Sequence, residues 1–240
     1  LLDANTELVE FGSVESIAVT QPELVVGIGH PSFIEIHDEL TGVAPTVLPD
    51  FTSSWADQTR QVAQTVGRAD RAELVISAVE ERVAALAAEI EEAGFAGQRA
   101  AIVQNFAGEY FGYGPTSVSG TIVEQLGLTR SEAQSGTENF GFVPLSAEVI
   151  PDETNVPWVF GVRSTADGAE GPSNLDDPLI GGADSTVADV GEAWFNNSAL
   201  GAWIVLDDIE AIMFERGEVT GLDGATAAFD DLLAAVEAAG

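Results

Sequence analysis

The sequence predicts an α/β fold in which two Rossmann-like lobes with parallel sheets are joined by a single long helix. Three observations carry that expectation. The stretch from Asp70 to Ala93 contains neither Gly nor Pro, and Leu74, Ala78, Val79, Val83, Leu86, Ala87 and Ile90 recur at spacings of three and four, which makes one apolar face. Short apolar runs alternate with helical patterns on both sides of it, as parallel βα units require. Ser13-Val14-Glu15-Ser16-Ile17 followed by Pro22–Ile28 is echoed by Ser146-Ala147-Glu148-Val149-Ile150 followed by Pro157–Val162, one copy on each side of the long stretch.

In chain order, Ser13–Ile17 reads as a short capped helix and Leu24–Gly29 as a buried strand. His30-Pro31-Ser32 forms a strand-to-helix turn, with a helix from Phe33 to Leu40. Pro45–Leu48 is a strand, the loop after it carries Phe51 and Trp55, and Trp55–Val66 is helical. Asp70 with Glu73 three residues on can cap the long helix, and Gly94 suits the left-handed residue past its end. At about 1.5 Å per residue that helix is roughly 36 Å long, a beam between lobes.

Beyond the beam, Arg99–Phe106 reads as a central parallel strand and residues 107–115 as a Gly- and aromatic-rich loop. Ser117–Leu126 is a helix ending at Gly127, Arg130–Phe142 an exposed loop, and Ser146–Ile150 a short helix. Pro157–Val162 is a buried strand and Arg163–Asp184 a long surface loop. Trp194–Ile209 is a helix, Ala211–Phe214 a strand and Gly224–Ala239 a closing helix that packs back toward the first lobe. The expected division is 1–68 for a partial N-terminal lobe, 69–95 for the connecting helix, 96–222 for the C-terminal lobe and 223–240 for the closing helix.

Composition narrows the function. Forty acidic residues against eight basic ones, all Arg, give a formal charge of −32. Such a surface builds no positive footprint for nucleic acid and is repelled by an anionic membrane. Without Cys there is neither a disulfide framework nor a thiolate metal site. No nucleophile–base pair, phosphate-cradling Gly motif or metal-spaced His/Asp/Glu set stands out, so the expected function is binding rather than catalysis, with no intrinsic cofactor.

These residues resemble a known family: the substrate-binding proteins of iron-siderophore, haem and cobalamin ABC importers. Glu15 on its short helix, Pro22–Gly27, Ala44-Pro45-Thr46-Val47, and Trp55 heading a helix that ends at Gly67-Arg68 fall in the family's order. Tyr113-Gly114-Pro115-Thr116-Ser117 and Leu126-Gly127-Leu128 continue it. Family members carry further N-terminal strands before the Glu helix, so the resemblance implies an incomplete N-terminal lobe. Near the C-terminus, Arg216-Gly217-Glu218-Val219 lacks the aromatic that often follows there. The resemblance implies an extracytoplasmic protein of the cell envelope, lipid-anchored or secreted through a leader absent from this sequence.

Ligands of open α/β lobes gather at the carboxyl ends of strands. His30 lies just past one such strand, Trp55 lies on the next loop of the first lobe, and Tyr110, Phe111 and Tyr113 cluster on the expected loop of the second. Aromatic faces and phenols there suit an organic chelate. Arg130 and Arg163 are the cations placed to reach a cleft. A strongly negative protein disfavours a triply anionic ferric catecholate, so a hydroxamate-type ferric siderophore is expected, with haem as an alternative ligand. Glu15 and Glu148 occupy matching places, and the resemblance implies that they dock the permease of an ABC importer. The rival reading keeps the fold but makes the chain an accessory interaction subunit of a membrane complex. In either case it is a monomer when free.

Overall fold

The fold is described from a computed structural model, over residues 10, 12–137, 141–163, 165–166, 169–221 and 224–239. Ser13 caps α1 (Val14–Val19), its Oγ accepting the Ser16 N–H at 3.2 Å. Strands β1 (Val25–Val26) and β2 (Thr46–Val47) pair in parallel, with α2 (Pro31–Glu35) and α3 (His37–Val43) between them where one helix was expected. The expected strand around β1 forms but is not buried: Val26 and Ile28 are each 41% exposed. Then α4 (Trp55–Thr65) leads into α5 (Ala69–Glu92), unbroken over its 24 residues.

The long helix is held at its start differently from the expected Asp70–Glu73 cap. Its N-cap residue is Arg68, with no side-chain bond, and Glu73 instead takes the Arg60 guanidinium at 2.9 Å. Gly94 supplies the expected left-handed exit at φ +75°. Helix α5 is also not a bare rod. Ile76, Val79, Val83, Leu86 and Ile90 are buried against α4 and two later helices, α8 (Ala199–Phe214) and α9 (Ala225–Ala239). Arg82 bridges Asp207 at 2.7 Å and Glu210 at 3.2 Å while lying 4.4 Å over the Trp203 ring, which locks α5 to α8.

The second sheet has five strands: β3 (Ala100–Phe106), β4 (Glu109–Tyr113), β5 (Phe142–Leu145), β6 (Trp158–Val162) and β9 (Thr186–Val190), in the order β5-β4-β3-β6-β9. Strands β3, β6 and β9 run parallel, as expected of a Rossmann-like lobe. The expected loop 107–115 is instead half strand. Ala107 and Gly108 turn a tight hairpin, both at positive φ, and β4 returns antiparallel to β3. A two-residue ribbon, β7 (Thr165–Ala166) with β8 (Ala169–Glu170), branches off after β6. One face of the large sheet is covered by α5, α6 (Val118–Gln125) and α8; the other packs Ile150 of α7 (Ile150–Thr154) against Ala101, Val103, Val159 and Ile180.

Four further expectations change. The short helix at Ser146–Ile150 is a turn followed by α7, one turn later in the chain. Ala211–Phe214 is no strand but the end of α8, whose Ala202, Ile204, Val205, Leu206 and Ile209 are buried around the whole circumference; Glu215 at φ +55° stops it. Helix α8 also begins only at Ala199, because Glu192–Phe195 form a separate 3-10 turn. The supposedly exposed loop Arg130–Phe142 buries Gln134, whose Oε1 accepts the Ile102 N–H at 3.0 Å; its residues 138–140 lie outside the described set. Among the described residues no helix is long and apolar enough to cross a membrane.

Candidate functional site

Carboxyl ends of the parallel strands position the candidate residues. In the first half, the β1–β2 ladder runs on past both strands: Gly27 N–H donates to Val47 O at 3.0 Å and Gly29 N–H to Pro49 O at 2.8 Å. A side chain at Gly29 would meet Pro49 O at 2.5 Å, so only Gly lets the two turns close up. The next residue, His30, is the N-cap of α2. Its Nδ1 accepts the Ser32 N–H at 3.3 Å and lies 2.7 Å from Ser32 Oγ. The ring meets Phe51 edge-on, 5.9 Å between centroids, so the loops after β1 and β2 share an aromatic surface. Trp55 does not join it. It is 3% exposed at the first turn of α4, within the main core.

In the second half, Arg163 follows β6 directly. Its Nε and Nη2 donate to Gly171 O at 3.2 and 2.7 Å, and Nε stands 3.8 Å from Asp189 Oδ2. Asp189, near the end of β9, also accepts Ser173 Oγ–H at 2.5 Å and the Asn174 N–H at 2.9 Å. A cation at the strand ends is thus fixed by a carboxylate that itself is fixed by the crossing loop.

Tyr110 and Tyr113 sit three residues apart on β4 and therefore face opposite sides of the sheet. Tyr110 belongs to the smaller core and donates its hydroxyl to Asp177 Oδ2 at 2.7 Å. Burial first, then the hydrogen bond to Asp177 and its charge, push its pKa up to about 12. Burial raises the Asp177 carboxyl, but the Leu179 N–H, the Tyr110 hydroxyl and the Asn105 amide outweigh it and hold it below its ordinary value. Tyr113 is fully buried in the larger core, donates to Gln104 Oε1 at 3.0 Å, and packs on Phe142 with 5.1 Å between ring centroids. Burial, then the charge of Glu192, shift its pKa far upward. The expected aromatic cluster on one loop is thereby split between two cores.

Arg130 points inward as well. Its side chain is 1% exposed, and Nη1 donates to the carbonyls of Tyr113 and Gln134 while Nη2 pairs with Glu124. It closes the turn between α6 and the following loop rather than reaching a cleft. Glu15 and Glu148 are both exposed, Glu15 in the first turn of α1 and Glu148 in the turn before α7.

Sequence reasoning passed over the loop after β9. Trp194 is fully buried and donates its indole N–H to Asp208 Oδ2 at 2.7 Å, which fixes residues 191–198 at the carboxyl end of the sheet. There Asn196, Asn197 and Ser198 look across a hollow at Gly27, Ile28 and Pro49 of the first half. The signal was the Trp–Asp spacing across the start of a helix, which has no motif to mark it. His30 and Phe51 offer ring faces at the strand ends of the first half, and Arg163 a guanidinium at a strand end of the second. Among the described residues no group of three or more His, Cys, Asp or Glu is placed to hold a metal ion.

Comparison with known proteins gives the family and the fold. The chain is 31% identical over 146 residues to the probable siderophore-binding lipoprotein YfiY of Bacillus subtilis (strain 168), a match over 58% of this chain and 44% of that protein. It therefore spans less than half the length of that relative. FhuD2 of Staphylococcus aureus, solved with bound ferrioxamine B, superposes with a TM-score of 0.67 at 19% identity, over 84% of this chain and 80% of that one. The siderophore periplasmic binding protein from the fuscachelin gene cluster of Thermobifida fusca superposes with a TM-score of 0.66 at 25% identity, over 84% and 77%. A family model described as periplasmic binding protein matches residues 6–178, well over half of the sequence, and the chain belongs to that family.

Proposed function

We propose that this chain is the binding part of an extracytoplasmic protein that captures a ferric siderophore, of hydroxamate type, and delivers it to an ABC importer. The observation that carries the reading is that His30 and Phe51 at the ends of β1 and β2, and Arg163 at the end of β6, lie in the two halves of a chain whose connecting helix α5 is unbroken. A stiff connecting helix packed along its length restricts lobe motion to small angles, so binding relies on a nearly preformed cleft. The charge of −32 speaks against a triply anionic chelate and for a neutral or cationic one. The names of the relatives, siderophore-binding lipoprotein YfiY and the ferrioxamine B complex of FhuD2, point the same way. Placement in the cell envelope, a lipid anchor, a monomeric free state and docking to the permease through Glu15 and Glu148 belong to the same proposal.

Titration with ferrioxamine B and, separately, with haem, followed by quenching of the four Trp residues, tests it. Saturable quenching by ferrioxamine B in the micromolar range or tighter supports capture. Preference for haem moves the ligand class, and no quenching by either, with the far-UV dichroism of a folded protein, overturns the reading in favour of an interaction subunit. A specific observation favours that second reading: Val19 is 79% and Ile34 57% exposed, so α1 and α2 present apolar side chains to a partner surface.

A further inference from the structure

The part of the cleft wall that the loop after β9 supplies hangs on one carboxylate. Asn196, Asn197 and Ser198, across from Gly27, Ile28 and Pro49, belong to a loop that begins at Gly191 and runs straight into α8. The Trp194 ring anchors it from below, fully buried on Phe160 of β6 with 4.8 Å between ring centroids. Ser198 Oγ accepts the Gly201 N–H at 3.0 Å, and a side chain at Gly201 would collide with the Asn196 carbonyl, so the loop lies directly on the first turn of α8. One turn further along that helix stands Asp208. It is fully buried and takes the Trp194 indole N–H on Oδ2 at 2.7 Å and the Thr220 N–H on Oδ1 at 2.6 Å.

Both N–H partners can only donate. An ionised carboxylate accepts from the two at once, whereas a carboxylic acid has turned one oxygen into a donor and meets one of them with the wrong sign. The charge acting on Asp208 is that of Asp207 beside it. Arg82 of α5, Glu210 and Asp231 of α9 act on Asp207, Glu192 of the 3-10 turn acts on Tyr113, and Arg216 of the loop after α8 pairs with Glu89 and Glu210. Asp208 has no ion pair among the described residues. Burial holds its carboxyl up at about 6, so its charge changes between mildly acid and neutral solution.

We propose that Asp208 is a positioning residue of the chelate cleft: it acts through Trp194 on Asn196–Ser198, and the cleft holds its ligand more tightly when Asp208 is ionised than when it is protonated. The inference rests on the siderophore reading and adds to it a control by acidity. Two accepted N–H bonds keep the loop in the shape that meets the ligand, so less ordering is left for binding to supply. By linkage the ligand then favours the ionised form, and affinity falls as pH drops through the folded value. Stability runs the other way, because burying the ionised form costs the fold. A loss of affinity in acid is therefore not a loss of folding.

The test is calorimetric titration of the full chain with ferrioxamine B at pH 5 and pH 7.5, beside amide hydrogen exchange of residues 191–198 without ligand. Binding about tenfold weaker at pH 5 is expected, the fold-change of one lost charge-assisted contact. Asp208→Asn, whose amide also offers one acceptor oxygen, should bind at both pH values as the parent does at pH 5. Trp194→Phe, read on the folded fraction, should lose affinity by a similar factor and add little to Asp208→Asn, since both cut the same bond. Exchange of residues 191–198, corrected for its intrinsic pH dependence, should quicken in acid in the parent but not in Asp208→Asn. Parental binding that does not change with pH, a change that Asp208→Asn retains, or losses that simply add overturn the proposal and leave the siderophore reading in place. No binding by the parent at either pH overturns that reading and this one together, and the exchange data then show whether the tether alone answers to acidity.

Discussion

The Trp194 indole N–H and the Thr220 backbone N–H converge on the two oxygens of Asp208, at 2.7 and 2.6 Å, so one fully buried carboxylate ties the loop after β9 to the loop before α9. Burial pushes the Asp208 pKa up to about 6, against the weaker pull of these donors. Its folded value thus lies above its unfolded one. The folded state holds the proton more tightly, so the contribution to stability is present in acid and is lost as pH rises through about 6. Asp208→Asn removes that titration. Relative to the parent, the variant should gain roughly 2 to 3 kcal/mol in unfolding free energy between pH 4 and pH 7. Urea denaturation at the two pH values measures it, and a flat difference would refute the assignment.

Arg130 gives a prediction of the opposite kind. Its guanidinium satisfies the Tyr113 and Gln134 carbonyls from a side chain that water barely reaches. Arg130→Ala should lower the unfolding free energy by about 2 kcal/mol, the cost of stranding the Tyr113 and Gln134 carbonyls; its carboxylate partner Glu124 is half exposed and adds little. Ferrioxamine B affinity of the folded fraction should stay within threefold of the parent. A large affinity loss without destabilisation would return Arg130 to the ligand surface.

What the sequence made legible follows from the range of the forces involved. Helix α5 could be read because its apolar period persists over 24 residues, and α1 and α6 because Ser13 and Ser117 cap them locally. Strand β4 escaped because its aromatics and glycines read as a loop, and only the cross-strand partners Val103–Phe106 make it a strand. Helix α8 escaped at its end because Ala211–Phe214 is apolar on every side, and periodicity cannot tell a buried helix from a buried strand. The positions of His30 and Arg163 just past strands were legible from the apolar runs that precede them. Tyr110, Tyr113 and Arg130 were misplaced because side-chain direction depends on β4 pairing and on the Gln134 turn, which are non-local. The Asp208 tether joins residues 194, 208 and 220 and could not be seen in any one window.

His30 separates capping from recognition. Asn is a good N-cap, so His30→Asn keeps an acceptor for the Ser32 N–H while removing the ring that meets Phe51. Stability should change by less than about 0.5 kcal/mol. Ferrioxamine B should bind about tenfold more weakly, a loss typical of one aromatic contact. Fluorescence titration of the variant checks the second statement and thermal unfolding the first.

Arg163→Lys tests geometry at constant charge. An ammonium cannot reproduce the two bonds that Nε and Nη2 make to Gly171 O, so the cation loses its fixed direction. Chelate affinity should fall about tenfold with net charge unchanged at −32. Undiminished affinity would show that Arg163 only holds the crossing loop.

Glu15 and Glu148 test delivery apart from capture. Each is exposed on a surface turn or first helical turn, one in each half, and neither touches the strand ends where the chelate is proposed to sit. Opposed charges at a docking rim act mainly on encounter rate and register. Glu15→Arg with Glu148→Arg should therefore leave ferrioxamine B affinity and thermal stability at parental values. Association with the cognate permease in nanodiscs should slow by about tenfold or more at low salt, with the deficit shrinking as salt is raised. Reversal of either residue alone should give an intermediate rate, because two separated contacts set the register. If the double variant associated as fast as the parent at every salt concentration, the two carboxylates would be ordinary solvated side chains, and delivery would have to run through another surface.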